Sequence, residues 1–211
     1  MIATIPKASE SMIGKTADNT LFAPRTRTSG LLVTVLLSGV IGFCAGISRE
    51  GKYRNNIESS QVLAGVVQHP ADSPFGMYHA KQGTLLVQIP AALIWLGVSE
   101  GALSIGIGGF LGMLSFQAIA LTTFALSSDA LISVVSAVVI YVVQAFGFGI
   151  VYNIYMVDGG TFSIGGGSFA LLVIALWGNG CVRLASFLLG LACAIHPTTG
   201  AWCLGVTGLG L

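Results

Sequence analysis

The sequence predicts an all-α fold: a polytopic transmembrane helical bundle with a structured first extramembrane loop. Composition is the first observation behind this. Of 211 residues, 54% are hydrophobic and 8% are charged, whereas a soluble domain carries about a quarter charged residues. A soluble chain of this size must still cover its surface with Lys, Arg, Asp and Glu, and here there are too few. The placement of charge is the second observation. After Lys81 the formally charged residues are Glu100, Asp129, Asp158 and Arg183, so 101–128, 130–157, 159–182 and 184–211 contain none. Each interval holds a segment of about 20 residues, the number that crosses hydrocarbon as a helix. Continuously apolar intervals also exclude a β-barrel, whose strands alternate apolar and polar residues.

Residues 1–29 read as a polar N-terminal tail holding Lys7, Glu10, Lys15, Asp18, Arg25 and Arg27. A cleaved signal would place its apolar run nearer the start, so the run beginning at Gly30 reads as an uncleaved first span over 30–48. Arg25 and Arg27 precede it, and Arg49, Lys52 and Arg54 follow it. The balance of basic residues near the span ends is read with the N-terminus on the cytoplasmic side of a bacterial-type plasma membrane.

Residues 49–83 form the long polar connection. Its first part, REGKYRNNIESSQVLAGVV, suits an amphipathic helix at the membrane interface. HPADSPFGMYHAK follows, where Pro70 and Pro74 resist regular helix and bias the residues before them toward extended backbone. A passive connection needs only a few residues, so a structured loop over the membrane face is expected.

Residues 84–211 form the multi-helix transmembrane region, expected to continue in further spans beyond Leu211. Span two, 83–99, contains Pro90 and is expected to kink. Span three lies within 101–127 and is rich in glycine; Gly108 with Gly112, and Ala102 with Gly106, are small-xxx-small pairs that let another helix approach. Span four covers 130–154. The glycine-rich VDGGTFSIGGGS at 157–168 lacks the GK[ST] and the strand–turn–helix context of a nucleotide loop and reads as a close-packed or re-entrant turn. Spans five (168–182) and six (183–195) follow, and HPTTG then breaks the apolar pattern. Six passes result, give or take one. Cys44, Cys181, Cys193 and Cys203 read as small buried hydrophobes, and Gln88, Gln117, Gln144 and Asn153 as interhelical hydrogen-bond partners. Glu100, Asp129 and Asp158 mark span boundaries, and Trp95 and Trp202 suit interfacial anchors.

Two segments concentrate usable chemistry. His69 and Asp72 stand on a proline-constrained backbone, with His79 and Lys81 shortly after. An ionised Asp72 suits a general base or, with His69, a divalent-cation ligand, and Lys81 suits a phosphate. The bland alternative is a solvated loop at the headgroup layer. The second segment is His196-Pro197-Thr198-Thr199-Gly200, polar groups between apolar stretches, whose bland alternative is a kink with hydroxyls satisfying freed carbonyls. A net charge of +1 with no basic stripe excludes nucleic acid as a partner.

One N-terminal span, a long loop with acidic and histidine residues, and then many closely spaced spans resemble the front half of the polytopic glycosyltransferases of the GT-C superfamily. The resemblance covers nearly the whole chain as layout. It implies a polyprenyl-phosphate-linked sugar donor, a glycan, lipid or protein acceptor, and Asp72 as base or metal ligand, with Glu58 second. Asp72 has no adjacent acidic partner, which departs from the paired acidic signature of several such families and leaves a divalent cation open. The competing readings are a transporter or permease with a broken-helix site near His196, and a non-catalytic membrane assembly subunit.

Overall fold

The computed structural model describes residues 24–50, 57–70, 72–145 and 162–209. Among them the protein is an all-α helical bundle. In chain order the helices are α1 (Pro24–Glu50), α2 (Glu58–Leu63), α3 (Pro74–Ala80), α4 (Leu85–Trp95), α5 (Glu100–Ser127), α6 (Ala130–Ala145), α7 (Phe162–Gly178), α8 (Val182–Ile195) and α9 (Pro197–Leu209). Two stretches are long and apolar enough to cross a membrane, Arg27–Ser48 within α1 and Glu100–Ser127. Leu85–Trp95, Ala130–Val143, Gly165–Gly178 and Val182–Ile195 are apolar but shorter.

Helix α5 is the axis of the bundle, flanked by α1, α6 and α7, while α8 and α9 pack on α7. Its buried face runs through Leu111, Leu114, Ala118 and Leu121, which meet Phe169, Leu172, Val173 and Leu176 of α7 and Ala185 and Leu189 of α8. A smaller cluster joins Phe116, Ile119 and Ala120 to Ala137 of α6. The α1–α5 contact is built from glycine. A Cβ on Gly112 would stand 2.9 Å from the Gly46 Cα, so the Gly108–Gly112 pair does admit a neighbouring helix, as its spacing predicts. Ala102 and Gly106 do not: both face outward, and a Cβ on Gly106 would meet nothing within 4 Å. The same spacing occurs twice, and only the pair that faces α1 is used.

In α1 the buried hydroxyls bond to their own helix. Thr34 Oγ1 donates to the Gly30 carbonyl at 2.9 Å and Ser38 Oγ to the Thr34 carbonyl at 2.6 Å. Gln117 Nε2 donates to the Val35 carbonyl at 3.2 Å, joining α5 to α1 as an interhelical partner. Gln88 instead bonds locally, to the Gly83 carbonyl, because it lies on the exposed face of α4. The side chain of Gln144, and Asn153 and Asp158, lie outside the described residues. Cys44 is exposed and the other three cysteines half-buried, all of them free, so the expectation of four buried cysteines does not hold. The α1 face carrying Cys44 points away from α5.

Helix ends follow their capping chemistry. Asp129 Oδ1 accepts the Ile132 N–H at 2.9 Å and opens α6, giving this boundary carboxylate a specific structural task. Ser128 before it closes α5 in the left-handed region, φ 56°. Pro74 does not interrupt helix; it opens α3 in the first turn, where its missing N–H costs nothing. Residues Gly165, Gly166 and Gly167 are helical within α7 rather than a turn. Their small size admits neighbours: a Cβ on Gly165 would lie 2.9 Å from Leu111, and one on Gly166 would lie 2.8 Å from His196. Residues 157–161 of that expected turn, and 146–154 of the expected fourth span, lie outside the described residues.

Candidate functional site

Three short pieces of chain assemble the main polar cluster: α2, the connection leading to α3, and α3 itself. Helix α2 is fastened to two other helices through adjacent residues. Ser60 Oγ donates to the Val87 carbonyl of α4 at 3.1 Å, and Gln61 Nε2 donates to Glu100 Oε2 at the start of α5 at 2.6 Å. Helix α3 is capped by Ser73, whose Oγ accepts the Gly76 N–H at 3.3 Å. Gly76 faces His69 so closely that a Cβ there would lie 2.5 Å from the His69 Cβ. Glycine at this point is what lets α3 fold back over the connection.

The result brings Glu58, Ser59, His69 and His79 together. His79 is 6% exposed, and its Nδ1 lies 2.6 Å from Ser59 Oγ, itself 2% exposed. On the opposite ring edge, His79 Nε2 faces Glu58 Oε2 at 3.9 Å, and His69 Nε2 faces Glu58 Oε1 at 3.5 Å. One carboxylate is therefore presented with an imidazole at each oxygen. Both Nε2 atoms are buried and make no hydrogen bond; each separation is that of an ion pair once an imidazole is protonated. The rings are fixed by aromatic neighbours. His69 and His79 stack at 6.2 Å, Phe75 meets His79 edge-on at 4.3 Å, and Tyr78 meets it at 5.3 Å.

A carboxylate facing two imidazoles brings together the side-chain types that serve as general acids and bases. Among the described residues no group of three or more His, Cys, Asp or Glu side chains is arranged to hold a metal ion. The expected residues thus separate into three sets. His69 and His79 are brought together, and Glu58 joins them. Asp72 and Lys81 are exposed, Lys81 at the C-terminal end of α3. His196 belongs to a different place, the joint between α8 and α9.

That joint accounts for much of the HPTTG anomaly. His196 is extended, φ −146° and ψ 100°, as the residue before a proline prefers. Pro197 opens α9, and His196 Nδ1 lies 3.3 Å from the Thr199 N–H it accepts and 2.9 Å from Thr199 Oγ1. Because a backbone N–H only donates, this Nδ1 is the unprotonated ring nitrogen.

Sequence reasoning ranked Glu58 below Asp72 and did not single out Ser59. The available signal was the pair Glu58-Ser59 within the expected amphipathic segment, but its partner His79 lies 20 residues beyond Ser59, and no local spacing links them. Comparison with protein-family models, with curated proteins and with solved structures finds no match to this chain.

Proposed function

We propose that this chain is a polytopic integral membrane protein that transfers sugar from a polyprenyl-phosphate-linked donor, using the α2–α3 segment as an acid–base platform at the membrane surface. The membrane part of the reading is supported by the inverted polarity of α1. Leu32, Leu36 and Val40 are 59%, 58% and 64% exposed, while Thr34 and Ser38 are 0% exposed. A helix in water places its hydroxyls outside and its leucines inside. Helix α6 repeats the pattern, with Leu131, Val135 and Val139 exposed and Ser133 buried. The shorter helices pack around α1 and α5, with α9 folded back on α8 at the His196 joint so that Gly200 lies against the Cys193 backbone. The N-terminus is cytoplasmic and α2–α3 faces the opposite side.

The observation that carries the catalytic part is the Glu58 carboxylate held between the Nε2 atoms of His69 and His79. Glu58 takes the proton of the acceptor hydroxyl while the acceptor oxygen bonds to the anomeric carbon of the sugar. The bond from that carbon to the phosphate oxygen breaks and the polyprenyl phosphate leaves. The imidazoles hold the carboxylate in place. Asp72 and Lys81, exposed at the rim, meet the acceptor and the lipid phosphate. The acceptor is a glycan, lipid or protein.

The test compares Glu58→Gln and Asp72→Asn in the intact protein for consumption of a polyprenyl-phosphate-linked sugar. Glu58→Gln is expected to lower turnover by about 100-fold or more and Asp72→Asn by less. A reversed order returns the base role to Asp72. Unchanged turnover in both variants removes the transferase reading.

A further inference from the structure

We infer that α3 is an interfacial membrane anchor. Its outward residues Phe75, Met77, Tyr78 and Lys81 lie at the boundary between lipid headgroups and acyl chains, and they hold the Glu58–His69–His79 cluster at headgroup depth. This rests on the membrane part of the reading above and not on its catalytic part.

The polarity of α3 is inverted. Its buried residues are Gly76 and His79, while Phe75, Met77 and Tyr78 are 54%, 46% and 62% exposed. A short helix facing water turns its histidine outward and its aromatic and thioether side chains inward. The same inversion marks α1 and α6, where Leu36 and Val135 are exposed and Ser38 and Ser133 buried. One apolar phase around all three helices accounts for it, and lipid is such a phase.

Chain reach ties α3 to that phase. Lys81 caps the C-terminal end of α3, and Gln82, Gly83 and Thr84 alone separate it from Leu85, where the apolar helix α4 begins. The four steps from Lys81 to Leu85 span at most about 14 Å when fully extended. The headgroup layer is itself roughly 5–8 Å deep on each side of a bilayer, so α3 is tethered within its reach. Tyr78 and Lys81, three residues apart and both exposed, are residue types that settle there. The ring or aliphatic stem lies in the apolar layer, while the hydroxyl or ammonium reaches water.

The anchor touches the cluster directly. Phe75 meets the His69 ring at 5.7 Å and the His79 ring at 4.3 Å, and Tyr78 meets His79 at 5.3 Å. Rings held at the boundary therefore keep both imidazoles beside it, at the depth of a lipid-linked phosphate.

The experiment places a spin label at Met77 in the full chain, without its four native cysteines, in nanodiscs of phosphatidylcholine and phosphatidylglycerol. The label is expected to collide with oxygen several-fold more often than with a water-soluble nickel complex. Preference for the nickel complex would put α3 in water, and little collision with either would mean that protein covers this face; both overturn the inference. Should the labelled variant not fold, wild type is photolabelled by a phosphatidylcholine carrying a diazirine near its headgroup. Adducts on residues 75–81 are then expected, and their absence overturns the inference. A label at Val40 separates this from the membrane reading: lipid contact at Val40 with water contact at Met77 overturns the anchor alone. Lipid contact at Met77 with unaltered turnover in Glu58→Gln upholds the anchor and counts against the transferase reading instead.

Discussion

Gly42 of α1 lies against Gly112 of α5 so closely that a Cβ on Gly42 would stand 2.6 Å from the Gly112 carbonyl oxygen. The obstacle is backbone, which cannot rotate aside as a side chain does. Gly42→Leu is therefore expected to cost about 3 kcal/mol, the upper part of the overpacking range. Gly106→Ala provides the contrast, because its Cβ would meet open space. It is expected to stabilise by about 0.5–1 kcal/mol through helix propensity. Thermal unfolding in detergent, followed by helical circular dichroism, reads both changes.

At Gly76 the same reasoning reaches the candidate site. A Cβ there would lie 2.5 Å from the His69 Cβ, so Gly76→Ala moves the His69 connection away from α3. The His69 and His79 Nε2 atoms, buried in the native fold, are then expected to react several-fold faster with diethyl pyrocarbonate. Peptide mapping of the modified histidines checks this, with His196 as the internal reference. Equal rates at His69 and His79 in variant and wild type would mean that Gly76 does not hold the cluster shut.

The capping role of Asp129 is separable from its charge. Asp129→Ala removes the acceptor for the Ile132 N–H and is expected to destabilise by about 1 kcal/mol, whereas Asp129→Asn, which caps as well, changes stability by only a few tenths. Equal losses in the two variants would assign the effect to charge at the end of the α5–α6 hairpin.

Spin labels placed at Val40 and Ser38 test which solvent surrounds α1. Val40 is 64% exposed and Ser38 fully buried. In bilayers the label at Val40 is expected to collide with oxygen far more often than with a water-soluble nickel complex. A Val40 label that favours the nickel complex would place this face in water and remove the membrane reading.

The sequence by itself determined the class of structure and the positions of its chemistry. Long apolar runs between scarce, clustered charges predict helices, and the elements among the described residues are all helices. The Gly108–Gly112 pair and the interhelical role of Gln117 were readable too, since both act through the i, i+4 geometry of a single helix or a polar group on its face. Which small pair would be used was not readable. Ala102–Gly106 and Gly108–Gly112 have the same spacing, and only the rotation of α5 against α1 chooses between them. The break at HPTTG was readable, since α8 ends at Ile195 and α9 starts at Pro197. Pro74, by contrast, opens a helix instead of resisting one and Gly165 to Gly167 sit inside α7, because the neighbouring helices and caps decide which side of a breaker the helix forms on. The candidate site was half visible, as His69 and His79. Only tertiary structure set Glu58 between them and Ser59 against His79, because a salt-bridge distance or a hydrogen bond across 20 residues depends on how α3 folds back on α2, and no local pattern records that fold.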